Sequence, residues 1–244
     1  GDGSSAATWM DAVIDGRAVT PRYGKPVEIE ALWFNALSAM RDMGAVEGLH
    51  LRFPRAVQTI AKTLESLIAL VQESFRNQFW SADRRQLADV VYRGKANWQL
   101  RPNQLFAAGL PFPLLDPAET ALMLETLEAC LLTKAGLRTL APGDPAYRGQ
   151  YRGSQPERDL SYHQGTVWPW LLGLYGRARL HADQDIIKTA KQLRNYLESF
   201  FTYLDELHLA YITEVFGGDD LQPGGTIQQA WNVSALLELF SILA

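Results

Sequence analysis

The chain has 244 residues, 47% of them hydrophobic, which is enough to bury a large core and lies near the upper end of what one domain holds. Its 27 Asp and Glu against 23 Lys and Arg, with no basic run, argue against nucleic acid as a partner. No apolar run approaches the roughly 20 residues of a membrane helix, there is no signal core, and the lone Cys130 excludes an internal disulfide, so a cytoplasmic location, no membrane partner and a single domain are expected.

The first stretch, residues 5–26, is a polar loop that crowds Trp9, Asp11, Arg22 and Lys25 together, with Glu28 and Trp33 close behind. Charged groups interleaved with indoles suit a wall that holds a polar ligand by its faces and edges, and sugars are such ligands. The apolar spacing predicts a helix over 27–44, with Ile29, Leu32, Trp33, Ala36, Leu37 and Met40 as its stripe. A second helix is predicted over 54–78, behind a well-placed proline, with Val57, Ile60, Ala61, Leu64, Leu67, Ile68 and Val71 on one face. After the loop 81–104, helices are predicted at about 117–133, 166–181, 184–203 and 227–243, separated by the loops 134–164 and 204–226. Strand-like alternation is confined to 89–92 and 209–215, so the fold class is expected to be all-α, with helices in sequential antiparallel pairs. Long loops in a compact domain tend to be functional, so the site is expected in them.

The stretch 134–170 is the richest, with Arg138, Asp144, Tyr147, Arg148, Tyr151, Tyr162, His163, Gln164, Trp168 and Trp170. Aromatic faces fit the C–H faces of a pyranose, and charged or amide groups fit its hydroxyl rim. His163 in YHQGTVWPW reads equally as a ligand contact and as a structural histidine. The four histidines show no H-x-x-x-H or H-E-x-x-H pairing, and one cysteine cannot build a thiolate site, so neither a metal nor another cofactor is expected. No G-x-S-x-G, no Walker loop and no strand-preceded G-x-G-x-x-G occurs, which removes support for serine-hydrolase and nucleotide chemistry. Two carboxylates stand out, Asp11 in TWMDA and Glu214 in ITEVFGGDD, each among apolar or aromatic neighbours. They read either as an acid and base pair or as a turn cap and a surface ion-pair partner.

The segments TWMDA, TPRYGKPVEIEALWFNAL, LRPNQLFA, LPFPLLD, GLRTLAPGDPAYRGQYRG, YHQGTVWPW, ITEVFGGD and PGGTIQQAW, in this order from residue 8 onward, strongly resemble the C-terminal catalytic domain of glycogen debranching enzymes, the amylo-alpha-1,6-glucosidase type. The resemblance implies an (α/α)6 toroid of the six-hairpin glycosidase type, with the substrate pocket beneath long inter-helix loops. The six or seven helical windows fall short of twelve helices, so the chain is expected to be the later part of such a domain, without its N-terminal helices. The implied activity is inverting hydrolysis of α-1,6-linked glucose at branch points of an α-glucan, with Asp11 as general acid and Glu214 as general base, their carboxyls about 6.5 to 9.5 Å apart to admit a water. Pocket walls fall on Trp9, Trp33, Trp168 and Trp170, with Trp231 at the floor or in the core. Hydroxyl contacts fall on Arg22, Lys25, Glu28, Asn35, Arg101, Asn103, Gln104, Asp144, Tyr162, His163 and Gln164. Trp33 also lies on the helix stripe, Glu28 suits a helix N-terminus, and Asn103 and Gln104 could cap the short helix at LFAAG. Two other readings stay open. One is a glucan-binding domain without turnover. The other is an assembly domain, whose exposed helix faces form a homo-oligomer.

Overall fold

A computed structural model describes residues 6–44 and 54–244, with the side chains of the second helix described from residue 62 onward. The expected stripe members Val57, Ile60 and Ala61 therefore have side chains outside the described residues. The helices are α1 (Val27–Gly44), α2 (Pro54–Phe79), α3 (Phe106–Gly109), α4 (Pro117–Cys130), α5 (Gln155–Ser161), α6 (Leu171–Ala182), α7 (Ile186–Glu206) and α8 (Ala230–Leu243), with a 3-10 turn at Pro102–Leu105 leading into α3. Their starts follow from local chemistry. Asp116 accepts the Glu119 N–H at 2.8 Å while Glu119 accepts the Asp116 N–H at 3.3 Å, and Pro117 stands where no donor is needed, so α4 opens on a full capping box. Asp185 accepts the Lys188 N–H at 3.0 Å and opens α7.

α6 lies in the middle of the packing, against α3, α4, α7 and α8, and buries Leu171, Leu172, Tyr175 and Ala178. A glycine eases its close approach to α8: a β-carbon at Gly176 would stand 2.4 Å from Leu239 Cδ1, and the buried leucine would have to shift. The stripe predicted for α1 is largely its open side. Ile29, Leu32, Trp33 and Met40 are exposed, and only Leu37 of that set joins Val27, Ala31 and Phe34 in the core. Apolar residues occur on both sides of this helix, so periodicity marks a helix here without choosing its buried face. α8 behaves alike, burying Leu236, Leu239 and Leu243 and exposing Trp231, Leu237 and Phe240.

The all-α expectation is too narrow, because twelve strands of two or three residues lie in the connections among the described residues. β1 (Val13–Ile14) pairs with β2 (Arg17–Ala18), and β4 (Trp80–Ser81) pairs with β5 (Gln86–Leu87). β3 (Lys25–Pro26), β6 (Val90–Tyr92) and β7 (Lys95–Asn97) form a sheet in which Lys25 faces Val91. β8 (Leu132–Thr133), β9 (Gly136–Arg138), β10 (Val167–Trp168), β11 (Val215–Phe216) and β12 (Pro223–Gly224) form another, in the order 12-11-10-9-8. Val167 pairs with Arg138 on one side and with Phe216 on the other. The expected strand at 89–92 is present as β6, whereas of 209–215 only Val215 is in a strand. The helix expected from 166 starts at Leu171, since Pro169 keeps Trp168 extended and hands it to β10. The helix α5 lies in a stretch expected to be loop.

The loops thus fold onto one another in pairs. Residues 6–26 meet 81–104 through β3 and β6, and 134–164 meets 204–226 through β9, β10 and β11. This pairing positions the site.

Candidate active site

Glu214 precedes β11, and its backbone is fixed before its side chain is considered. Its N–H donates to the Thr226 carbonyl at 2.9 Å, and Asn232 donates to the carbonyls of Thr213 and Glu214 at 2.7 and 3.0 Å. Its carboxylate is nearly buried and takes three donors: the Tyr162 hydroxyl at 2.6 Å and the Gln229 amide at 2.9 Å on Oε1, and the Thr226 N–H at 2.9 Å on Oε2. All three partners are donors, the set that an ionised carboxylate accepts, and one acceptor position on Oε2 is left over. Beside it lies a cavity of about 480 Å³ lined by Tyr151, Arg158, Glu214, Gly224, Gly225 and Thr226. Gly225 keeps this approach open: its φ is +74°, and a β-carbon there would stand 2.3 Å from Oε2.

Tyr162 donates its hydroxyl to Glu214 and also feels the charge of Asp11. Burial first, then the hydrogen bond and charge of Glu214, and then Tyr151 and Asp11 raise the pKa of its hydroxyl, so the charges of Glu214 and Asp11 act on the same phenol. Burial and Glu214 also raise the pKa of Tyr151, whose ring stacks on Tyr162 at 5.8 Å. Asp11 is exposed, two residues before the hairpin β1–β2, and that hairpin packs on α5, the helix that ends just before Tyr162.

An aromatic cluster adjoins Tyr162. The Trp9 indole meets the rings of His163, Trp168 and Trp170 edge-on at 5.3, 5.7 and 5.0 Å. His163 lies flat on Trp168, 5.7 Å away with 13° between planes, and Tyr162 packs on both rings. His163 is fully buried with neither ring nitrogen paired to a protein group. Burial, followed by the charges of Arg101 and Arg22, pushes its pKa down to about 3, so the ring is neutral at ordinary pH. Trp231 extends the cluster, meeting Trp170 edge-on at 5.6 Å.

Beneath Trp9 lies a buried charge centre. Arg22 donates to Glu28 at both guanidinium ends and to Asp89 Oδ2 and Oδ1 at 2.8 and 2.9 Å. Burial opposes its charge, but Asp89 and Glu28 outweigh that and raise its pKa. Arg101, also buried, donates to the carbonyls of Thr139 and His163 at 3.1 and 2.7 Å and to Gln164 at 2.7 Å. Burial lowers the Arg101 pKa to about 10, with Asp89 opposing. Asn103 donates to Asp89 at 2.7 Å and accepts the Trp9 indole N–H at 2.8 Å. Gln104 accepts the Leu87 N–H and donates to the Arg101 carbonyl, within the backbone of the same region.

The residues expected at the site therefore fall in three places. Glu214, Tyr162, His163, Trp168, Trp170 and Trp9 come together. Arg22, Glu28, Arg101, Asn103, Gln104 and Gln164 lie in or around the buried charge centre. Lys25 donates to Gln78 at 3.1 Å, Asn35 exchanges two hydrogen bonds of 2.9 Å with the Phe112 backbone, Trp33 stands exposed on α1, and Asp144 accepts from Gln99 and from the Ala146 N–H. The sequence reading did not single out Asp89, Gln229 or Thr226. An acidic residue inside the apolar run QLADVVY was a signal for Asp89, because a buried carboxylate must be paired; no local pattern marks the other two.

The model of the amylo-alpha-1,6-glucosidase family matches residues 1–238. The chain belongs to that family. A glycogen debranching enzyme from Saccharomyces cerevisiae is 25% identical over 97% of this chain and 18% of its own length. Among solved structures, neutral trehalase from Saccharomyces cerevisiae superposes with a TM-score of 0.64 at 14% identity, over 94% of this chain and 40% of that one. A GH63 mannosylglycerate hydrolase from Thermus thermophilus superposes with a TM-score of 0.56 at 12% identity, over 89% of this chain and 46% of that one. This member of the amylo-alpha-1,6-glucosidase family is thus a glycoside-hydrolase-related domain, with a fold compatible with the α/α toroid type, and it spans less than half the length of each of these relatives.

Proposed function

We propose that this chain is a glycosidase that releases glucose from α-1,6 branch points of a glycogen-like α-glucan by inversion, with Asp11 as general acid and Glu214 as general base. The observation that carries this reading is the state of Glu214: a nearly buried carboxylate, oriented by three donors, with one acceptor position left on Oε2 beside an open cavity. A base that activates water needs such a free acceptor, because the water must lose a proton while it attacks the anomeric carbon. The glycosidic oxygen leaves poorly unless protonated, and Asp11, exposed and acting on the same phenol as Glu214, would supply that proton from the opposite side of the sugar. The (α/α)6 toroid, of which this chain would form the later part, would place both groups under the loops, and the Trp9, Trp168 and Trp170 cluster would form the wall of the glucose subsite. Release of glucose from a branched limit dextrin by the parent chain, and not by Asp11→Asn, tests the reading. Equal release by both would remove Asp11 from the mechanism.

A second reading, association of copies of the chain, draws on an apolar groove of about 770 Å³ between α7 and α8, lined by Phe201, Leu204, Tyr211, Val233 and Leu237 among others. Light scattering at rising concentration tests it, and a monomer throughout would contradict it.

A further inference from the structure

Two residues of the charge centre, Asp89 and Asn103, reach toward the acid arm and are sealed from any sugar by burial. Both Asp89 oxygens are occupied, Oδ2 by Arg22 and Oδ1 by Arg22 and Asn103. The Asn103 amide spends its donors on Asp89 Oδ1 and Met10 Sδ and its oxygen on the Trp9 indole N–H. All three of Arg22, Asp89 and Asn103 are buried. The charges balance, with two guanidinium groups (Arg22 and Arg101) against two carboxylates (Glu28 and Asp89), so the centre is held rather than repelled. Trp9 is two residues from Asp11, and Asp11 itself is exposed. The hydrogen bonds from Asp89 through Asn103 thus end on the Trp9 side chain, two residues along the chain from the proposed acid.

We infer that Asp89 and Asn103 are positioning residues, which fix the Trp9 indole and through it the place of the Asp11 carboxyl at the scissile bond. This rests on the proposed glycosidase reading and extends it to residues outside the pocket. The same centre holds the opposite arm through Arg101, whose bond to the His163 carbonyl lies next to Tyr162, the partner of Glu214. One buried charge cluster thus ties both arms to a common base.

Misplacing a general acid has a distinctive signature. A glucan leaving group needs protonation, whereas fluoride leaves without it, so α-glucosyl fluoride bypasses the acid but still needs the base. Asn103→Leu removes the acceptor that holds the Trp9 indole and leaves every ring of the wall in place. It should slow turnover of the branched limit dextrin about 10- to 100-fold, with the fluoride rate within about threefold of the parent. Asp89→Asn leaves Arg22 and Arg101 short of a counter-charge and can unfold the chain, which is why Asn103→Leu carries the test. Equal slowing on both substrates, or no slowing on either, would overturn the positioning role. The underlying reading is checked separately by Asp11→Asn. If that variant fails to separate the two substrates, or if the parent acts on neither, the acid assignment falls and this inference with it. If Asp11→Asn separates them and Asn103→Leu does not, only the inference falls.

Discussion

The carboxylates of Asp89 and Glu214 sit in two regions built from the same material, long loops rich in charged and aromatic residues, yet they are finished differently. Each accepts three hydrogen bonds, but at Asp89 they come from Arg22 and Asn103, with the Arg101 guanidinium 3.8 Å away, and the group is sealed at 2% exposure, while Glu214, at 9%, has only neutral donors and a cavity beside it. A carboxylate sealed among cations supports, and one held by neutral donors at a cavity can react. The density of polar residues in a sequence does not distinguish the two. The charge of the partners and the access to a cavity do.

If that contrast is right, the two carboxylates fail in different currencies. Glu214→Gln should lower turnover on branched glucan by about 10² to 10⁴-fold with a cooperative unfolding transition retained, measured by glucose release alongside thermal melts. Asp89→Ala should instead be read in stability: removing one partner from a buried ion cluster costs about 3–5 kcal/mol, which urea denaturation would register. A loss under about 1 kcal/mol would mean that the centre is not a support.

The glycine beside Glu214 sharpens the same comparison. Gly225→Ala must adopt φ near +74° and meet Oε2, so a stability loss of about 1–3 kcal/mol and a fall in turnover are expected. A variant with parental rates would show that the cavity side of Oε2 is not where the water acts.

His163 offers a pH test of the cluster that joins the regions. Its folded pKa of about 3 lies below the ordinary value of 6.5, so the unfolded chain takes up the proton first as pH falls. Stability is then full above about pH 6.5 and declines down to about pH 3, by about 1.4 kcal/mol per pH unit well inside that window. His163→Phe, which keeps a flat ring on Trp168 and loses no protein hydrogen bond of the imidazole, should remove that slope. Denaturation at pH 7 and pH 5 should show the parent losing about 2 kcal/mol more than the variant. Tyr162→Phe deletes one of three donors to Glu214 and should cost about 1–3 kcal/mol, divided between urea-denaturation stability and kcat/KM.

The helices and the chemistry were legible in sequence to different depths. Helix starts with a proline or an acidic cap, as at Pro54, Pro117 and Asp185, could be read because the signal is local. The buried faces of α1 and α8 could not, since both helices carry apolar residues on more than one side and only their partners decide which side is covered. Strands were under-read although turn signals were present. Asp15-Gly16 and Arg93-Gly94, both pairs at positive φ, close the hairpins β1–β2 and β6–β7, and the first is a standard two-residue hairpin signature. The capping box Ser154-Gln155-Pro156-Glu157, with Glu157 accepting the Ser154 N–H at 2.7 Å, likewise announced α5. At the site, motif resemblance pointed to Glu214 and Tyr162. It could not tell that Arg22, Glu28 and Arg101 face one another in the interior, because pairing between residues 22 and 89 is a tertiary fact.

The most direct test of the acid and base assignment is the anomer of the glucose first released from a branched limit dextrin, followed by NMR faster than mutarotation, with Glu214→Gln as control. Inversion at an α-linkage predicts β-glucose from the parent and a loss of at least about 10²-fold in the variant. Release of α-glucose, or undiminished β-glucose from Glu214→Gln, would contradict it.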